Sequence, residues 1–86
     1  MTRMWPEGEP IIVALDGQGN PIRFVWQGHI YRVSRIWQRW QTDSEWWSPQ
    51  GRVWRAYVSL STNDGLLCVL YHDRLADEWF LSKLYD

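Results

Sequence analysis

The chain of 86 residues has room for one domain, and its formal charge of −1 gives no overall attraction to the phosphates of duplex DNA. Eight Trp, four Tyr and two Phe make it 16% aromatic, enough large side chains to fill a small core without disulfides or a metal. Cys68 is the single cysteine, which excludes an intramolecular disulfide, and its place in the run Leu66-Leu67-Cys68-Val69-Leu70 marks it as a small buried hydrophobe.

Residues 1–9 read as a loose N-terminal arm. They hold no apolar stretch long enough for a signal peptide, and no run in the chain approaches the roughly 20 apolar residues of a membrane span. A free thiol without an export signal points to the cytoplasm, and no membrane partner is expected. Pro10 to Leu15 reads as a first strand, closed by the loop Asp16-Gly17-Gln18-Gly19-Asn20-Pro21. Ile22 to Gln27 alternates, with Ile22, Phe24 and Trp26 on one face and Arg23 and Gln27 on the other.

Gln27-Gly28 is a tight turn. His29 to about Trp40 starts as a strand with Tyr31 and Val33 on one side, then slips phase where Ile36 and Trp37 adjoin; a bulge near Ser34-Arg35 restores it. A helix over Ser34 to Trp40, pairing Trp37 with Trp40, is the alternative. After Ser48-Pro49-Gln50-Gly51 comes Val53 to Leu60, with Trp54, Ala56, Val58 and Leu60 as its apolar face. Asn63-Asp64-Gly65 is a hairpin turn. Leu66 to Tyr71 is apolar on both faces, which suits a central strand. Asp73 to Glu78 is a loop or a single helical turn, and Trp79 to Tyr85 closes the chain with Phe80 and Leu84 on one side and Trp79, Leu81 and Tyr85 on the other. About six short strands predict an all-β domain of SH3-like size spanning residues 1–86, a small antiparallel barrel or a strongly bent meander.

Chemistry-bearing motifs are scarce. His29, His72 and Cys68 have no zinc-ligand spacing, so no metal and no cofactor are expected. Neither histidine accompanies a nucleophile motif, the carboxylate pairs Asp77-Glu78 and Asp43/Glu45 sit in polar loops, and the glycines form no phosphate loop. So short a barrel leaves little room for a pocket beside its core, and no enzyme and no small-molecule substrate are expected.

What stands out is arginine set among tryptophans. Residues 21–55 carry six arginines against Asp43 and Glu45, a local charge of +4, and Lys83 is the only lysine. Arginine stacks on rings and forks onto carboxylates or phosphates. Arg35, Trp37, Arg39 and Trp40, with Trp46 and Trp47 beside them, are the candidate binding residues. Eight tryptophans exceed one small core, so at least two should be exposed. They suit a protein interface, in which Trp and Arg are enriched, or a surface that stacks the bases of single-stranded nucleic acid; core packing with arginines laid across the rings is the third reading.

Asp16, Gly19, Pro21, Phe24, Trp26, Gly28, Tyr31, Val33 and Ile36 together resemble the opening of a family of small bacterial domains of unknown function. The second half, with Trp46-Trp47, Arg52, Trp54-Arg55, Tyr57, Gly65, Tyr71, Asp73 and the closing Trp79-Phe80-Leu81…Tyr85-Asp86, is similar to the C-terminal segment of ImuB-like proteins, relatives of Y-family polymerases that act as adaptors in damage-induced mutagenesis. That resemblance implies an accessory in translesion DNA synthesis or DNA repair, with a polymerase or recombinase-like partner. The chain carries neither the polymerase core nor a glutamine-led sliding-clamp motif, so the implied role is that of a detached module. The combined expectation is a non-enzymatic protein-interaction module; a single-stranded DNA binder and a small barrel that holds proline-rich peptides are the alternatives.

Overall fold

The computed structural model describes residues 2–44, 47 and 51–85. It contains β1 (Thr2–Leu15), β2 (Pro21–Trp26), β3 (His29–Ser44), β4 (Val53–Thr62), β5 (Leu67–Asp73) and β6 (Glu78–Tyr85). Each strand pairs antiparallel with its sequence neighbour, and β1 pairs with β6, so the sheet closes into a small barrel. The all-β, six-strand expectation holds.

Local chemistry sets the strand ends. Asp16 Oδ1 accepts the backbone N–H groups of Gln18 at 2.8 Å and Asn20 at 2.9 Å, which folds the β1–β2 loop around one carboxylate. Gln27 and Gly28 both have positive φ, 52° and 76°, the combination a two-residue turn needs to match the twist of its flanking strands. Asp73 Oδ1 accepts the N–H groups of Leu75 and Ala76, so the β5–β6 link is a turn rather than a helix.

The core is the inward face of this ring, built on Phe24, Leu60, Cys68, Leu70 and Leu81 with Ile11, Trp26, Val58 and Leu84 around them. No strand of a closed ring is central, and β5 is apolar on both faces because β1 at Glu7 and Gly8 crosses over its outer side at Tyr71. Cys68 and Leu70 point into the core while Val69 and Tyr71 are buried on the outer face. Burial pushes the Cys68 thiol up to about 11.

Several expectations need correction. Residues 2–9 are not a loose arm: Thr2, Arg3 and Met4 pair with Tyr85, Leu84 and Lys83, and Trp5 sits edge-on to Trp26 at 5.4 Å. The chain then breaks register at Gly8, whose φ of +78° lets β1 lie against Phe80 and Tyr71. The Tyr71 hydroxyl donates to the Glu7 carbonyl at 2.9 Å and pins this crossing. Ile22 is 43% exposed, because an irregularity between Ala14 and Leu15 seats Pro21 inside in its place. In β6, a register shift opposite Val69 and Leu70 lets Leu81 and Leu84 both enter the core, whereas Phe80 faces outward. The helix weighed for Ser34 to Trp40 is absent. β3 runs on to Ser44 through bulges between Val33 and Arg35 and between Ile36 and Gln38.

Two outcomes follow. A Cβ at Gly8 would lie 2.6 Å from Phe80 Cβ and 2.8 Å from the Tyr71 hydroxyl, with an unfavourable φ besides. Gly8→Ala should therefore cost about 3 kcal/mol or more in urea denaturation, whereas Gly17→Ala, in open space, should shift it by less than about 0.5 kcal/mol. Cys68, fully buried, should be alkylated by iodoacetamide at pH 8 at least about a hundredfold more slowly in the folded protein than in urea.

Candidate interaction groove and barrel mouth

Beyond Arg32, β3 leaves β2. The β2–β3 ladder ends at the pair Arg23–Arg32, while the β3–β4 ladder continues to Ser44–Val53. Among the described residues, β3 from Val33 to Ser44 thus pairs on its β4 side alone, and its other edge is open.

Register builds three rungs across the outer face of β4, β5 and β6. The first is Ser61–Leu67–Tyr85, the second Ser59–Val69–Lys83 and the third Tyr57–Tyr71–Phe80. On the third, four rings continue across the strands: Trp40 on Tyr57 at 5.4 Å and 3°, Tyr57 beside Tyr71 at 5.4 Å, and Tyr71 on Phe80 at 5.0 Å. This row is closed over at Tyr71, only 2% exposed beneath Glu7 and Gly8, and open at Trp40. The Tyr57 hydroxyl accepts from Arg55 Nη1 at 3.4 Å, which holds the guanidinium's pKa above its ordinary value.

Trp37 belongs to the first rung. Its indole N–H donates to Ser61 Oγ at 3.1 Å, and the Arg35 guanidinium lies 4.0 Å over the ring. The two tryptophan rungs, at Tyr57 and Ser61, are four positions apart on β4, about 13 Å of strand. The rung between them is low, with Ser59 and Val69 as its short side chains. A groove of about 770 Å³ results, with Trp37, Trp40 and Tyr57 along one side, Lys83 and Tyr85 along the other, and a floor of serines and Val69.

The candidate residues named from sequence therefore do not share one surface. Arg35, Trp37 and Trp40 line or edge the groove, and Trp37 and Trp40 are 55% and 40% exposed. They share a face only because the bulge between Ile36 and Gln38 corrects their odd spacing. Arg39 lines a second cavity, at the barrel mouth, to which Trp40 and Tyr57 also contribute. Trp47 lies in the connection between β3 and β4 and is 69% exposed; Trp46 falls outside the described residues.

The mouth cavity, about 450 Å³, lies where β3 has parted from the β1–β2 loop. Gly19 and Pro21 border it on the loop side, and Arg39, Gln41, Ala56, His72, Arg74 and Trp79 line the rest. His72 stacks on Trp79 at 4.9 Å, and its Nε2 meets Asp77 Oδ1 at 2.7 Å. Neither hollow is enclosed by the barrel: both are open, made at the rim by strand ends and side-chain rungs. Sequence reasoning also missed Tyr57, Ser59, Lys83 and Tyr85, which only the strand register brings beside Trp37 and Trp40.

Trp37→Ala and Trp40→Ala should each cost about 1–2 kcal/mol in urea denaturation and leave the circular dichroism of the folded state unchanged, since both rings lie on the outer face.

No curated protein and no solved structure matches the chain. The model of one family, described as a domain of unknown function (DUF6504), matches residues 6–86, which takes in all six strands except the first residues of β1. The chain belongs to that family.

Proposed function

We propose that the chain is a non-enzymatic protein-interaction module whose contact surface is the outer groove together with the open edge of β3 beside it. The observation that carries this reading is the pair of exposed tryptophans, Trp37 and Trp40, standing on a strand whose far edge has no partner among the described residues. An extended segment laid along that edge gains main-chain hydrogen bonds, and its alternate side chains reach the tryptophan rungs. Tryptophan and arginine side by side, with small residues beneath them, are the composition of an interface hot spot.

A peptide suits this surface better than a run of nucleotides. Arg35 covers one face of Trp37 and Tyr57 covers one face of Trp40, so half of the stacking area that bases would use is taken. Serines and Val69 between aromatic side chains give apolar or proline-containing residues a place to sit. The resemblance of the second half of the chain to the C-terminal segment of ImuB-like proteins supports an accessory role in translesion DNA synthesis or DNA repair, with a polymerase or recombinase-like protein as the partner.

A randomised peptide library displayed against the folded protein tests the reading. Selection should enrich sequences that bind the Trp37→Ala/Trp40→Ala double variant at least about tenfold more weakly, and binding should slow amide exchange over residues 35–44. No enrichment relative to the double variant would overturn it. So would binding of single-stranded DNA that collapses between about 50 and 200 mM salt with no peptide selected, which would move the function to nucleic acid.

A further inference from the structure

We propose that the cavity at the barrel mouth binds a small anion joined to a flat ring, a ligand of the nucleoside monophosphate class, with Arg39 and Arg74 holding the charge. This site adjoins the groove at Trp40 and Tyr57, which line both hollows, but does not rest on the peptide reading.

The charges around the mouth are unequally committed. Asp16 accepts two backbone N–H groups of its own loop, which hold its carboxyl below the usual 3.8. Asp73 is held by the amides of Leu75 and Ala76, Asp77 is bonded to His72, and Asp43 takes the Arg52 fork at 3.1 and 2.9 Å. Every one of these carboxylates has a partner. Arg39 and Arg74, by contrast, form no ion pair within 4.0 Å among the described residues; Asp16 reaches Arg39 only through space. Arg74 lies 4.6 Å over the Trp54 ring, a contact with the π face that takes up none of the N–H donors an oxyanion would use.

The apolar half of the ligand has its own seat. Ala56 and Val58 give the cavity a low floor, and the stacked pairs His72–Trp79 and Trp40–Tyr57 both contribute to its lining. A planar ring can lie against such surfaces, with the Gln41 amide near to hydrogen-bond its edge. The volume, about 450 Å³, matches a small-molecule site of roughly 300–1,000 Å³. Two cations facing an aromatic wall select for ring and anion in one molecule, so neither half alone should bind well.

The test is a nuclear magnetic resonance titration of the full chain with adenosine 5′-monophosphate, adenosine and inorganic phosphate as separate probes. The monophosphate should move the Trp79 indole N–H resonance with a Kd below roughly 1 mM. Adenosine and phosphate should each bind at least about tenfold more weakly. Arg39→Gln and Arg74→Gln should each weaken the monophosphate by about tenfold with the thermal melt unchanged, whereas Trp37→Ala, on the groove, should bind as the parent does. No shift at about 5 mM monophosphate, adenosine binding as tightly as its phosphate, or shifts at Trp37 in place of Trp79 would each overturn the proposal.

Discussion

Ring closure by β1 is the constraint on which the rest of the molecule depends. One strand pairs with β6 over its first residues and with β2 over its last, and so joins the two ends of the sheet. Its register breaks between Met4 and Glu9, and Gly8 is the residue at which the backbone comes close to Phe80 and Tyr71. Without that crossing the core would lose Trp5 from against Trp26, and the outer aromatic row would lose the Glu7 carbonyl that anchors Tyr71. Core and outer face are thus tied through one short stretch of chain.

Much of this architecture was legible in the sequence. Asp16 to Pro21, Gln27-Gly28 and Asn63 to Gly65 mark strand ends because their backbone needs are local, set by side-chain capping or a positive φ. The alternation of β2 gave the inward residues Phe24 and Trp26, and the apolar run around Cys68 marked that residue as buried, whereas two-sided apolarity left the facing of β5 open. Bulges were harder. One extra residue reverses the facing of everything after it, so Leu84 was placed with Phe80 although they lie on opposite faces. The N-terminal segment failed for a related reason: Pro6, Gly8 and Pro10 carry loop chemistry, and only contact with β6 makes a strand of them.

The candidate sites show the same division. Arginine interleaved with tryptophan singled out β3 in the sequence, and along that strand Trp37 lines the groove, Arg39 the mouth and Trp40 both. What completes each hollow comes from residues distant in sequence. Ser59 and Val69 matter to the groove because they are short, and Lys83 because register sets it beside them. Arg74 matters to the mouth because Trp54 supports it. Relations of this kind have no local pattern to read. Trp40 and Tyr57 stand where the two hollows meet, with Trp37 and Lys83 on the groove and Arg39 and Arg74 at the mouth.

An open edge such as that of β3 would ordinarily template the addition of further copies, and with them fibrils. Two features of the strand guard against that fate. The bulges at Val33/Arg35 and Ile36/Gln38 interrupt the even spacing of N–H and C=O groups that an identical strand would need. Arg35 and Arg39 meanwhile bring like charges toward one another in any self-pairing. Self-pairing along this edge is thus unfavourable, although the edge keeps N–H and C=O groups without a partner among the described residues.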